Sequence, residues 1–125
     1  MTERPFRARN RWQSLQHALR GLHEAWQTQS NLRLHAFAGL AVIALGTCLP
    51  LAFGEWLWLA FAIGLVLFAE LMNTAIEQTV DFVVGPQLDP TARRVKDLSA
   101  GGVLVASLLA AVIGAFTFLP HLLGA

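Results

Sequence analysis

Three long apolar runs alternate with polar segments along this chain, and each is long enough to cross a membrane as a helix. The runs cover about residues 33–53, 56–84 and 97–119, and a spanning helix needs about 20 residues. Glycine and proline mark the ends of the runs, at Pro50, Gly54, Gly85, Pro86 and Pro120. The pattern predicts three transmembrane helices.

The segment before the first run has an amphipathic pattern over about residues 6–28. Its large apolar residues recur at spacings of three and four: Trp12, Leu15, Leu19, Leu22 and Trp26. We expect a helix that lies on the inner membrane surface, where anionic headgroups attract its arginines. The same stripe could instead pack against the spans, and the two arrangements are compatible.

Composition supports a membrane protein. The chain has 125 residues, of which 55% are hydrophobic and 14% are charged, and its mean hydropathy is +0.53. Soluble domains carry about 25% charged residues. We therefore expect one all-α membrane domain. Because three helices are too few to enclose a deep pocket, an elaborate site would need an oligomer.

The basic residues predict the orientation of the spans. Six of the nine lie at or before Arg33, and the other three are Arg93, Arg94 and Lys96. Cytoplasmic segments of membrane proteins are enriched in Lys and Arg. This distribution places the amino terminus in the cytoplasm and the carboxyl terminus outside.

The second run carries a polar stripe formed by Glu70, Asn73, Glu77 and Asp81. At 3.6 residues per turn, these side chains fall within roughly 80° of one another. Each charge at membrane depth costs at least about 2.5–3.5 kcal/mol, so the stripe should face protein rather than lipid. Protons, a cation or basic partners from another helix must neutralise the acids.

The stripe has the composition of a phosphoryl-transfer site. Carboxylate and amide oxygens suit Mg²⁺ better than Zn²⁺, and Mg²⁺ in such sites commonly carries a nucleotide phosphate. A further carboxylate can take a proton from a hydroxyl group, and Lys96 can meet a phosphate. We expect phosphoryl transfer from a nucleotide to an alcohol in the membrane. In the alternative interpretation, the acids only form hydrogen bonds between helices.

The sequence contains neither a P-loop motif nor the signature set of soluble protein kinases, so a nucleotide must be held in another way. The run Ala100-Gly101-Gly102 allows close approach of a ligand to the backbone. The same small residues would also allow tight helix packing.

The segment Glu70-Leu71-Met72-Asn73-Thr74-Ala75-Ile76-Glu77, followed by Asp81 and Lys96-Asp97, resembles the prokaryotic diacylglycerol kinase family, which includes undecaprenol kinases. The resemblance extends to Asn31-Leu32-Arg33-Leu34-His35 and to Ala100-Gly101-Gly102-Val103. It implies an ATP- and Mg²⁺-dependent lipid kinase of the bacterial inner membrane. It also implies a homotrimer of three-span subunits with active sites between subunits.

The resemblance also implies roles for individual residues. Glu70 would be the catalytic base and would contact the lipid together with Asn73 and Ala100. Asn73 and Glu77 would bind Mg²⁺, and Glu77 would also contact the nucleotide. The other nucleotide contacts would be Asp81, Lys96, Asp97 and either Arg9 or Arg11.

One position departs from the family pattern. Gln29 stands where the family commonly has a second metal-binding carboxylate. Its amide oxygen can coordinate Mg²⁺ but brings no charge, so the second metal contact would be weaker.

Two other functions are compatible with the sequence. One is a small oligomeric transporter coupled to cations or protons, although no acidic residue lies between Trp56 and Ala69. The other is a catalytically weak kinase relative, which Gln29 favours. Undecaprenol and diacylglycerol are both candidate acceptors, and the Asn31–His35 segment is more similar to the undecaprenol kinase branch.

Overall fold

The computed structural model describes residues 10–124, which are helical apart from short connections. In chain order the helices are α1 (Arg11–Thr28), α2 (Ser30–Thr47), α3 (Phe53–Val84) and α4 (Pro90–Leu122). No strand occurs within this described range. The all-α prediction is confirmed.

Helix α1 presents its apolar stripe outward. The Asn10 side chain accepts a hydrogen bond from the Gln13 backbone N–H at 2.9 Å and caps the start of the helix. The five large apolar residues of the stripe are exposed, from 39% at Trp26 to 64% at Trp12, while Ala25 is buried. Residues 10–124 therefore leave the stripe uncovered. Residues 6–9 of the predicted surface helix lie outside the described part.

A sharp elbow at Gln29 joins α1 to α2. Gln29 has extended backbone angles (φ −109°, ψ 102°), which break the helical path at one residue. The Arg33 guanidinium reaches back and donates hydrogen bonds to the carbonyls of Trp26, at 2.5 Å, and Gln27, at 3.1 Å. Carbonyls at a helix end lack helical partners, so Arg33 caps α1 and fixes the elbow.

Helices α2 and α3 approach closely at two glycines. A Cβ atom on Gly39 would lie 2.9 Å from Ile63 Cγ2, and one on Gly46 would lie 2.7 Å from Trp56 Cη2. Small residues at such contacts allow the backbones to pack tightly. Helix α3 also packs along α4, so it is the central helix of the described chain.

Helices α3 and α4 are long and apolar enough to cross a membrane, judged by length and composition. Helix α2 is shorter, with 18 residues, and its first turns contain Asn31, Arg33 and His35. Large apolar side chains remain exposed along all three helices, among them Phe68 and Leu108. These exposed surfaces suit contact with lipid or with other subunits.

The helix ends differ from the predicted span ends because of local capping. Helix α3 starts at Phe53, where the Glu55 carboxylate accepts the Ala52 N–H at 2.7 Å. Helix α4 starts at Pro90, where Asp89 accepts two backbone N–H groups and proline suits the first turn.

Helix α4 continues through Pro120 to Leu122. Proline removes one N–H donor, and so near a helix end it interrupts only one hydrogen bond of the last turns. His121, the next residue, also contacts Glu55 of α3 at 2.9 Å. This contact holds the final turn against the bundle.

Candidate active site

The polar stripe lies on one uninterrupted helix, and its burial decreases along that helix. Glu70 is buried, with 5% of its surface exposed, whereas Asn73 and Glu77 are half-buried and Asp81 is exposed. Helix α3 ends beyond the stripe at Gly85, whose positive φ of 66° favours glycine. The stripe therefore runs from the interior of the bundle to the end of α3.

Glu70 pairs with a histidine of the preceding helix. Its Oε1 atom lies 3.2 Å from Nε2 of His35, and the two side chains are 6% and 27% exposed. The contact is an ion pair when the imidazole carries a proton. A buried carboxylate requires such a partner, because an uncompensated charge in the interior is strongly destabilising.

Asp81 pairs with the following helix. Its Oδ1 atom forms an ion pair with Lys96 Nζ, and both side chains are partly open to solvent. The pair connects the end of α3 to the beginning of α4. It brings together two of the predicted nucleotide-binding residues.

Glu77 is held by its own helix. The Asn73 side-chain N–H donates to Glu77 Oε1 at 3.2 Å. Within the described chain no Lys, Arg or His forms an ion pair with Glu77. Among the described residues, two of the three acids therefore have basic partners on neighbouring helices. The partner of Glu77 is the side-chain amide of Asn73 on the same helix.

The side-chain oxygen of Asn73, unlike its side-chain nitrogen, has no hydrogen-bond partner in the described chain. Its Oδ1 is buried and accepts no hydrogen bond within residues 10–124. Together with the Glu77 carboxylate, this oxygen forms a pair of hard donors one helical turn apart, which fits a divalent cation such as Mg²⁺. No group of three or more His, Cys, Asp and Glu residues that could hold a metal occurs in the described chain.

Gln29 lies at the elbow between α1 and α2 and is half-buried. Its side-chain amide donates to Thr28 Oγ1 at 3.3 Å. No hydrogen bond of the described residues links Gln29 to Asn73 or Glu77. The predicted ligand set is therefore represented by the Asn73–Glu77 pair, with Gln29 on a separate element.

The remaining predicted nucleotide contacts are dispersed. Asp97 lines an open groove of about 610 Å³ at the start of α4, together with Arg93 and Arg94. The lining of this groove does not include Asp81 or Lys96. Arg11 is exposed at the beginning of α1. Arg9 lies outside the described residues.

A groove of about 490 Å³ between α3 and α4 includes Asn73, Ser99 and Gly102 in its lining. The Ser99 hydroxyl is buried and, like Asn73 Oδ1, has no partner in the described part of the chain. A Cβ atom on Gly101 or Gly102 would meet nothing within 4 Å. Close packing inside this chain therefore does not require these glycines, and the neighbouring Ala100 is exposed.

Sequence reasoning did not assign a role to His35 or Ser99. Both are polar residues in otherwise apolar runs. A polar residue in such a run is the sequence signal that could have identified each of them. Their partners come from tertiary packing, since His35 meets Glu70 across two helices. Periodicity along one helix does not reveal such contacts.

Comparison with known proteins gives a consistent result. A family model described as prokaryotic diacylglycerol kinase matches residues 16–118. The chain is 39% identical to the undecaprenol kinase of Bacillus subtilis over 111 residues, covering 89% of each protein. It is 38% identical to a diacylglycerol kinase of Synechocystis over 128 aligned positions, covering 97% of this chain and 73% of the relative. A diacylglycerol kinase of Escherichia coli is 26% identical, over 82% of this chain and 83% of the relative.

Proposed function

As a member of the prokaryotic diacylglycerol kinase family, this chain is a membrane lipid kinase, and we propose that it transfers the γ-phosphate of ATP to the hydroxyl of undecaprenol or diacylglycerol. The observation that carries the proposal is the α3 stripe, in which a buried carboxylate stands beside a half-buried pair of oxygen donors. Family membership argues against the transporter alternative.

Glu70 is proposed as the catalytic base. It takes the proton of the lipid hydroxyl, whose oxygen forms a bond to the γ-phosphorus while the bond to the leaving ADP oxygen breaks. Its position supports this role, because the buried carboxylate lies at the interior end of the stripe, next to the donors proposed to hold Mg²⁺. Asn73 and Ala100 are proposed to contact the lipid near its hydroxyl.

Glu77 and Asn73 are proposed to hold Mg²⁺, with Gln29 as a further ligand. The unpartnered Asn73 oxygen and the absence of a basic partner for Glu77 in the described chain support this assignment. When bound, Mg²⁺ neutralises charge on the transferring phosphate. Gln29 supplies no negative charge, so metal affinity should be lower than with a carboxylate at that position.

Lys96 is proposed to contact the nucleotide phosphates, and its pairing with Asp81 supports a shared position for these two residues. Asp97, Arg11 and Arg9 are proposed as further nucleotide contacts, with Glu77 approaching the phosphates through the metal. A neighbouring subunit would bring these dispersed groups together.

The assembly is proposed to be a homotrimer of three-span subunits in the bacterial inner membrane. Helix α2 would be the third span beside α3 and α4, and α1 would lie on the cytoplasmic surface. The exposed stripe of α1 and the open groove between α3 and α4 support this arrangement. The sequence supports it too, because all Lys and Arg residues lie either at or before Arg33 or in the segment Arg93–Lys96.

Undecaprenol and diacylglycerol are both proposed as acceptors. The relatives named undecaprenol kinase and diacylglycerol kinase are almost equally similar to this chain. The Asn31–His35 segment favours undecaprenol.

One assay tests the function. The purified protein, shown to be folded in detergent or lipid, is given γ-labelled ATP with Mg²⁺ and either undecaprenol or diacylglycerol. Label on at least one lipid is expected, with undecaprenol the better acceptor. Label on neither would refute the kinase proposal, and a rate at trace level would favour the weak relative.

A further inference from the structure

His35 and Glu70 come from different helices and meet at a point where Glu70 is buried and His35 is half-buried. His35 Nε2 lies 3.2 Å from Glu70 Oε1, and the Glu70 side chain is 6% exposed. In the described chain Lys96 pairs with Asp81 and His121 with Glu55, and neither reaches Glu70. The imidazole is therefore the basic group that meets this carboxylate within residues 10–124.

The surroundings of His35 strengthen its interaction with Glu70. His35 borders a cavity of about 280 Å³ between α2, α3 and α4, and the lining is apolar apart from His35 and Ser107. The apolar residues of this lining include Val42, Leu59 and Val66. Polar contacts are stronger in an apolar environment than in water, so these surroundings strengthen the His35–Glu70 contact.

Other ionisable groups near the pair are engaged elsewhere or more distant along the helices. On α3 the next acids are Glu77, which binds Asn73, and Asp81, which binds Lys96. Helix α1 contributes Glu24 to the groove that Thr74 lines. Helix α4 presents Ser107, which does not titrate.

We infer that His35 is a positioning residue for phosphoryl transfer, holding Oε1 of Glu70 so that Oε2 remains available to the lipid hydroxyl. The inference rests on the proposed role of Glu70 as base. The contact at Oε1 fixes the orientation of the carboxylate and leaves the second oxygen to accept the hydroxyl proton. In the step the hydroxyl proton moves to Oε2, the hydroxyl oxygen bonds to the γ-phosphorus, and ADP leaves.

The chain contains a matched control for this pair. His121 also contacts a glutamate of α3, Glu55, at 2.9 Å, but in the first turn of that helix, whereas Glu70 lies near its middle. His121→Gln therefore removes a comparable pair without touching the proposed site. We expect it to leave kcat unchanged.

Kinetic measurements separate positioning from a structural role. For His35→Ala we expect kcat to fall about tenfold or more, with the KM for ATP unchanged. His35→Gln, which keeps an N–H donor, should recover part of kcat, because the positioning contact needs only a donor to Glu70.

A second measurement does not depend on activity. The imidazole ¹⁵N resonances of His35 are recorded at one pH in detergent micelles in the wild type and in Glu70→Gln, and they should shift in the variant because the imidazole loses its carboxylate partner. If the wild type phosphorylates neither lipid but the resonances shift, the kinase proposal fails and the pair stands. An active wild type whose kcat is unchanged in His35→Ala, or His35 resonances that do not shift in Glu70→Gln, would overturn the inference.

Discussion

Lys96 and Asp81 form an ion pair between the first turns of α4 and the last turns of α3. Their side chains are 37% and 64% exposed, and exposed pairs contribute about 0.2–1 kcal/mol to stability. Both residues are also proposed nucleotide contacts. Loss of either side chain should therefore affect ATP binding more than folding.

Substitution of Lys96 tests this distinction. In Lys96→Met we expect the KM for ATP to rise about tenfold, because a charge-assisted contact to phosphate is lost, while the melting temperature changes little. In the charge swap Asp81→Lys with Lys96→Asp, attraction between the helices is restored but the phosphate contact is not. Recovery of the wild-type KM by the swap would show that the pair acts only by joining the helices.

The metal assignment predicts opposite effects of two charge changes. Glu77→Gln should raise the Mg²⁺ concentration for half-maximal activity about tenfold or more, because the donor set loses its negative charge. Gln29→Glu should lower this concentration by supplying a second carboxylate. Activity measured against free Mg²⁺ at saturating ATP gives both values.

Gln27→Glu is the matched control for Gln29→Glu, since it adds the same charge to an exposed position two residues away on α1. It should leave the Mg²⁺ requirement unchanged. An equal gain from both substitutions would mean that general electrostatic attraction is responsible. A Glu77→Gln variant with an unaltered Mg²⁺ curve would remove Glu77 from the metal site.

Close packing between α2 and α3 predicts a stability effect at Gly46. In Gly46→Ala the new methyl group would lie 2.7 Å from Trp56 Cη2, and overpacking costs about 1–3 kcal/mol. A lower melting temperature in detergent is expected. Gly21→Ala on α1, where a Cβ meets nothing within 4 Å, should leave it unchanged or raise it, and equal losses in both variants would contradict the packing argument.

Much of the fold could be predicted from the sequence because apolar periodicity and length determine membrane helices. The α3 stripe was also predictable, since Glu70, Asn73, Glu77 and Asp81 recur at helical spacing on an uninterrupted helix. The end of α4 could not be predicted from the sequence in the same way. Proline usually ends a helix, but α4 accommodates Pro120 within its last turns.

The partners of the stripe residues could not be predicted from one helix alone. Glu70 meets His35 of α2, whereas Asp81 meets Lys96 of α4. Which neighbour each acid contacts depends on the rotation and crossing of three helices, and those are set by contacts such as Gly46 with Trp56. The roles of Gln29, Asp97, Arg11 and Arg9 depend on other elements and remain predictions.

The most direct test compares two carboxylates of the same helix. Glu70→Gln and Glu55→Gln remove one charge each, from the proposed base near the middle of α3 and from the first turn of that helix. Initial rates of lipid phosphorylation are measured at saturating ATP and Mg²⁺ for protein of matched folded fraction. We expect Glu70→Gln to lose at least about 99% of the rate and Glu55→Gln to retain it. A Glu70→Gln variant that keeps the wild-type rate would contradict the assignment of Glu70 as the base.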